Sequence, residues 1–219
     1  MRKIFLCLLA AMPYMAAMAQ SEWEVPEFEK KTEQSAEKET AVKKKKKAPM
    51  IEEKYGVGAV PLVDGKIEWT ITIPVNGKTG KEIFEKALET VAEATKAKGQ
   101  STRSRITAVN RKENIIAAFF DEEMVFSNST FAKDFADFRY TLIITCSANE
   151  EKVTLCRMSY KYNVGREDEE ILGAEETISD DASMNKTRTR FYKTYGKFRK
   201  KTIDRKEEIF NMLRAKTLQ

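Results

Sequence analysis

Two acidic runs, Asp121-Glu122-Glu123 and Glu167-Asp168-Glu169-Glu170, come nearest to a chemically active motif in this chain. Paired carboxylates can divide the acid and base roles of glycoside cleavage, or supply oxygen ligands to calcium. Neither run has the alternating ligands and glycine of a calcium loop. The second lies in Gly165–Asp181, where eight acids face one arginine, and it reads as an exposed loop that neutralises a basic tail. The 219 residues include no histidine, which removes Ser–His and Cys–His nucleophile pairs and every histidine-ligated metal. No glycine-rich phosphate loop and no CxxC pair is present. No catalytic residue, metal ligand, cofactor-binding residue or cofactor is therefore assigned.

Cys146 and Cys156 fall on the two arms of an expected hairpin. In a register that pairs Ile144 with Cys156, both lie on one face as diagonal neighbours, a separation awkward for a disulfide. Buried free thiols and a bonded pair both stay open.

Side chains suited to binding are more promising. If Ile67, Trp69, Ile71, Tyr140, Leu142 and Ile144 point at helices, the alternation of strands turns Thr70, Arg105, Arg139, Thr141 and Arg157 to the opposite sheet face. Arginine supplies forked donors to anions, so these five form a candidate ligand face for an anionic or sugar ligand. Cross-strand salt bridges on a solvated face are the bland alternative.

Those residues need a sheet and helices to place them. Lys66–Ile73 alternates apolar and polar residues, as a half-buried strand does, and Asp64-Gly65 marks a turn before it. Thr79-Gly80-Lys81-Glu82 is a capping box, followed by an apolar stripe at helical spacing, Ile83, Phe84, Ala87, Leu88 and Val91. Arg103–Val109 reads as a strand. The unbroken apolar run Ile115–Phe120 reads as a central strand covered on both faces, Glu123–Phe126 as a short strand, and Ser127–Asp137 as an irregular connection. Phe138–Cys146 and Val153–Lys161 form a hairpin around Ser147–Lys152. Ser183–Gln219 holds twelve bases against three acids and reads as an amphipathic helix interrupted near Gly196 and restarted near Asp204 and Glu207. This order implies an α+β two-layer sandwich, a mostly antiparallel curved sheet with helices on one face.

The N-terminus carries a different signal. Arg2 and Lys3, an apolar run from Ile4 to Ala19 and the small-x-small ending Ala17-Met18-Ala19 match an export signal cleaved after Ala19. The run is short for a membrane span and contains Pro13. Losing Arg2 and Lys3 lowers the net charge from +5 to +3, a mild balance that does not call for nucleic acid. No later apolar run reaches membrane length. Lys43, Lys44, Lys45, Lys46 and Lys47 follow a Glu/Lys-rich stretch too polar to fold. They are candidate contacts to an anionic surface, or simply a solvated tether. The chain thus divides into a signal (1–19), a disordered leader (20–55), an α+β domain (56–164), an acidic loop (165–182) and a basic helical segment (183–219).

Several separated pieces resemble a known family: Gly58-Ala59-Val60-Pro61-Leu62-Val63-Asp64-Gly65-Lys66, Ser104-Arg105-Ile106, Ile115-Ile116-Ala117-Ala118, and the stretch from Gly196 to Lys206. With the signal and the lysine-rich leader, they are similar to exported Bacteroidetes proteins carrying the domain of unknown function numbered forty-four sixty-eight. The resemblance implies a TBP-like fold and a Gram-negative compartment, periplasmic or secreted. It implies no activity, and the fold name does not imply DNA binding. In a bacterial chain the acceptor pattern Asn128-Ser129-Thr130 is idle. The expected function is a non-enzymatic binding domain of the envelope, with a protein, glycan or anionic surface as partner. The alternatives are an envelope tether through the lysine block and a histidine-independent carboxylate glycan hydrolase.

Overall fold

The computed structural model describes residues 51–130 and 132–219. The export signal, most of the leader and the five-lysine block lie outside the described residues.

Glu53–Tyr55 forms one 3-10 turn. β1 (Leu62–Val63) and β2 (Lys66–Ile67) make a small hairpin. Asp64 and Gly65 at its tip have φ of 50° and 74°, the left-handed pair that a tight hairpin turn requires. β3 (Trp69–Pro74) follows after a break at Glu68, so the expected single strand is two. α1 (Gly80–Ala94) begins on the capping box: Thr79 Oγ1 accepts from Glu82 N at 3.3 Å, and Thr79 N donates to Glu82 Oε2 at 2.8 Å.

β4 (Arg105–Asn110), β5 (Ile115–Asn128), β6 (Lys133–Ser147) and β7 (Glu150–Tyr162) build an antiparallel sheet in the order β3-β7-β6-β5-β4. β8 (Glu170–Gly173) adds to the far half of β7. α2 (Ala174–Ile178), α3 (Asp180–Ser183) and α4 (Lys193–Thr217) complete the chain. The α+β architecture stands, with a mostly antiparallel sheet.

One face of the sheet holds the core. Trp69, Ile73, Ile116, Phe120, Phe138, Tyr140, Leu142, Ile144, Leu155 and Tyr160 are buried together with Phe84 and Val91 of α1 and Phe198, Ile203 and Ile209 of α4. Aromatic rings link the layers: Phe138 stacks on Tyr160 at 5.3 Å, and Tyr160 meets Phe198 edge-on at 4.9 Å.

Several elements differ from expectation. β5 and β6 run on as long strands, so the irregular connection shrinks to the residues between Asn128 and Lys133. The expected acidic loop contains β8, α2 and α3, with Ala174, Thr177 and Ile178 buried. α4 is unbroken: Gly196 lies inside it because a Cβ there would collide with Phe191 Cβ. The β6–β7 turn is only Ala148-Asn149, closed by the pair Ser147 and Glu150, with Asn149 left-handed at φ 63°. That shorter turn sets a different register, with Ile144 opposite Val153 and Thr141 opposite Cys156.

Candidate functional site

The sheet face turned away from the helices is open. Cross-strand register builds it in rows. Thr70, Thr154, Ile143 and Ala117 form one row, and Cys156, Thr141, Phe119 and Arg105 form the next. Ser159, Arg139 and Asp121 form a third. Four of the five expected ligand-face residues, Thr70, Thr141, Arg105 and Arg139, therefore share this face. Arg157 is exposed but falls out of the alternation. It sits with φ 53° in a bulge, where β7 carries an extra residue between Cys156 and Ser159.

These residues are not equally available. Asp121 is buried and accepts Arg139 Nε at 3.3 Å and Arg103 Nε at 2.8 Å, so Arg139 is committed to a clamp. Arg105 lies over the Phe119 ring, 5.7 Å from its centroid, and donates to the Arg103 carbonyl at 2.9 Å. Thr70 and Thr154 share a 3.0 Å hydroxyl contact. Arg105, Arg157 and Lys152 have no carboxylate partner among the described residues.

Sequence reasoning missed the apolar part of this face. Ile115–Phe120 reads as a strand covered on both sides, but only Ile116, Ala118 and Phe120 face the core. Ile115, Ala117 and Phe119 are half-buried on the open side, beside Ile143. The signal was the unbroken run itself, since apolar residues on an uncovered face mark a contact surface as readily as a second core.

The first acidic run is split between the two faces of the sheet. Asp121 points to the open face, whereas Glu122 points to the helix side. There Arg205 grips Glu122 with two bonds, Nε to Oε1 at 2.7 Å and Nη2 to Oε2 at 2.9 Å, and Gln100 adds a third. Burial opposes the charge on Arg205, but the Glu122 carboxylate outweighs it and the guanidinium is held more firmly protonated. Glu123 pairs with Lys133. In the second run, Glu169 Oε2 accepts from Gly165 N at 2.9 Å and its other oxygen meets Lys161 at 2.9 Å. Asp168 Oδ2 accepts from Asn163 at 2.8 Å. Each of these carboxylates is a structural tie. Among the described residues no cluster of three metal-ligating side chains occurs.

Cys146 and Cys156 are free and sit on opposite faces, Cys146 in the core and Cys156 on the open side. The expected diagonal pairing fails because the register is displaced by three residues. Burial pushes the Cys146 thiol up to about 12, with nearby Glu151 adding to the effect. Burial, then Glu68, also raises Cys156. Neither is poised as a nucleophile.

A second buried charge organises the helix side. Arg199 is fully buried, and its donors reach the carbonyls of Tyr55 (2.9 Å), Ile178 (2.8 Å) and Gly56, with Asp180 Oδ1 at 2.7 Å. It ties α4 to the 3-10 turn, α2 and α3.

Residues 69–161 match the family model described as a domain of unknown function (DUF4468) with TBP-like fold. The crystal structure of a DUF4468 family protein from Bacteroides ovatus is 28% identical to this chain, with a TM-score of 0.69 over 75% of this chain and 93% of that one. A TBP-like protein from Parabacteroides distasonis, 19% identical, superposes with a TM-score of 0.57 over 72% of this chain and 96% of that one, a likeness of fold. No curated protein matches the chain.

Proposed function

We propose that this chain, whose residues 69–161 carry the DUF4468 domain, is a non-enzymatic binding module that docks a protein partner on the open face of its sheet. One observation carries the reading: an apolar centre of Ala117, Phe119 and Ile143, uncovered by any described element, is bordered by threonines and by unneutralised Arg105, Arg157 and Lys152. An apolar centre inside a polar, arginine-bearing rim is the anatomy of a protein–protein interface. Arg105 already covers the Phe119 ring, which disfavours a stacked sugar and favours a side-chain surface. Arg105, Arg157 and Lys152 favour acidic groups opposite them on a partner, and Glu68, near Cys156 on the same face, favours a basic one. The export pattern of residues 1–19 and the Bacteroides and Parabacteroides relatives support a place in the bacterial envelope.

The test places a photo-crosslinking amino acid at Thr72 or Thr154 on the open face, and at Glu89 on α1, in the native organism. An adduct of one defined mass is expected from the two sheet positions and not from Glu89. It should disappear when Arg105→Glu and Arg157→Glu are combined. Equal adducts from Glu89, or adducts indifferent to charge reversal, would overturn the proposal.

A further inference from the structure

On the other side of the molecule, a slot of about 390 Å³ runs between the end of α1 and the C-terminal half of α4. Its floor is the core face of the sheet at Phe120, Tyr140 and Leu142. Ala94 and Ala97 form one wall, and their side chains are too short to fill the gap to α4. Met212 lies on the facing wall, 36% exposed and adaptable in shape. Lys216 and Glu93, 3.3 Å apart, bridge the two helices within the slot. The slot adjoins a wider cleft of about 760 Å³, and Lys98, Arg205 and Glu208 border both.

The charges of the wider cleft are uneven in a useful way. Each acid there already has a cation within reach: Glu123 has Lys133, Asp204 has Lys54 and Glu207 has Lys206, while Glu122 and Glu208 share the single charge of Arg205. Lys98 and Lys201 have no carboxylate partner among the described residues. An apolar slot of small-molecule size therefore adjoins two unneutralised ammonium groups. We propose that it binds a free alkyl carboxylate, its chain lying between α1 and α4 and its head held by Lys98 and Lys201. This site is separate from the open sheet face and needs no protein partner.

The test is displacement of a fluorescent fatty-acid probe from the purified full chain by a homologous series of saturated carboxylates, repeated with the matching alcohols and with anionic phospholipid vesicles. Saturable binding of the carboxylates is expected, tightening about fourfold per methylene until the slot is full. Ala94→Phe should weaken it at least tenfold, and Met212→Trp, from the facing wall, should do the same if Ala94→Phe fails to fold. Lys98→Glu with Lys201→Glu should weaken carboxylates about tenfold and leave alcohols unchanged. Absence of carboxylate binding, indifference to chain length, unchanged affinity in a folded wall variant, or binding to vesicles alone would overturn it.

Discussion

Asp121 and Glu122 are neighbours in β5, yet each clamps an arginine on a different face of the sheet. Asp121 holds Arg103 and Arg139 outside, and Glu122 holds Arg205 inside. The alternation of a strand turns one acidic run into two opposed anchors. The run is thereby built into the framework on both sides of the sheet.

Loss of the inner anchor is the costlier. Arg205→Met leaves Glu122 buried without its cation, which should destabilise the fold by about 2 kcal/mol. That is below the usual figure for a buried pair because Arg205 is partly exposed. Arg103→Met should cost under about 1 kcal/mol, since Asp121 keeps Arg139. Urea denaturation of the two variants checks the order.

Arg199 should tolerate no substitute. Lysine cannot reproduce the guanidinium fork, and Arg199→Met leaves the buried Tyr55 carbonyl without its donor and Asp180 without its cation, while the Gly56 and Ile178 carbonyls keep only long bonds from Ala59 N and Ser183 Oγ. A loss of about 3–5 kcal/mol is expected for either variant, read as a shift in the urea midpoint.

The same contacts revise the domain boundary. Tyr55 is buried, its carbonyl accepts from Arg199, and its hydroxyl donates to Asp204 at 2.8 Å. A fragment starting at Gly56, the boundary that composition suggests, should be less stable than one starting at Ile51 by about 2 kcal/mol, from the lost hydrogen bonds and buried ring. Parallel denaturation of the two fragments decides it.

Gly196→Ala should destabilise by about 1–3 kcal/mol, because the added Cβ meets Phe191 Cβ. Phe191→Ala keeps that atom and should not rescue the variant. Thermal unfolding of the single and double variants provides the check.

Glu151 is buried with Oε1 unpartnered, while Oε2 accepts from Thr217 at 2.8 Å. Burial raises its carboxyl above the ordinary 4.5. A raised folded-state value means that its stabilising contribution is intact below that ordinary value and is lost as pH climbs through the folded value. Glu151→Gln should therefore be more stable than the parent at neutral pH, by about 1 kcal/mol, and the gain should vanish in acid. Cys146 follows the same sign at the alkaline end, with stability falling between pH 9 and about 12. Its thiol should resist alkylation in the native state at neutral pH.

What could be read from the residues was local. The capping box at Thr79 and the alternation through Trp69, Ile71 and Ile73 each declare their element within a few positions, and the open face followed from that alternation. What escaped depended on distant partners. Asp121 and Glu122 look like a break in an apolar strand because Arg205, which makes Glu122 tolerable there, lies 83 residues away. The hairpin register escaped because its turn takes two residues where composition offers a stretch of six, Ser147–Lys152, polar but for Ala148. Gly196 reads as a helix breaker until Phe191 is seen lying across it.

The position of α4 has a further consequence. Phe198, Ile203, Ile209, Phe210 and Leu213 all come from α4, yet they pack into the one interior that the sheet and α1 share. Detaching this single helix would bare a broad greasy strip of the sheet's inner side, so α4 doubles as the guard against sticking to other molecules.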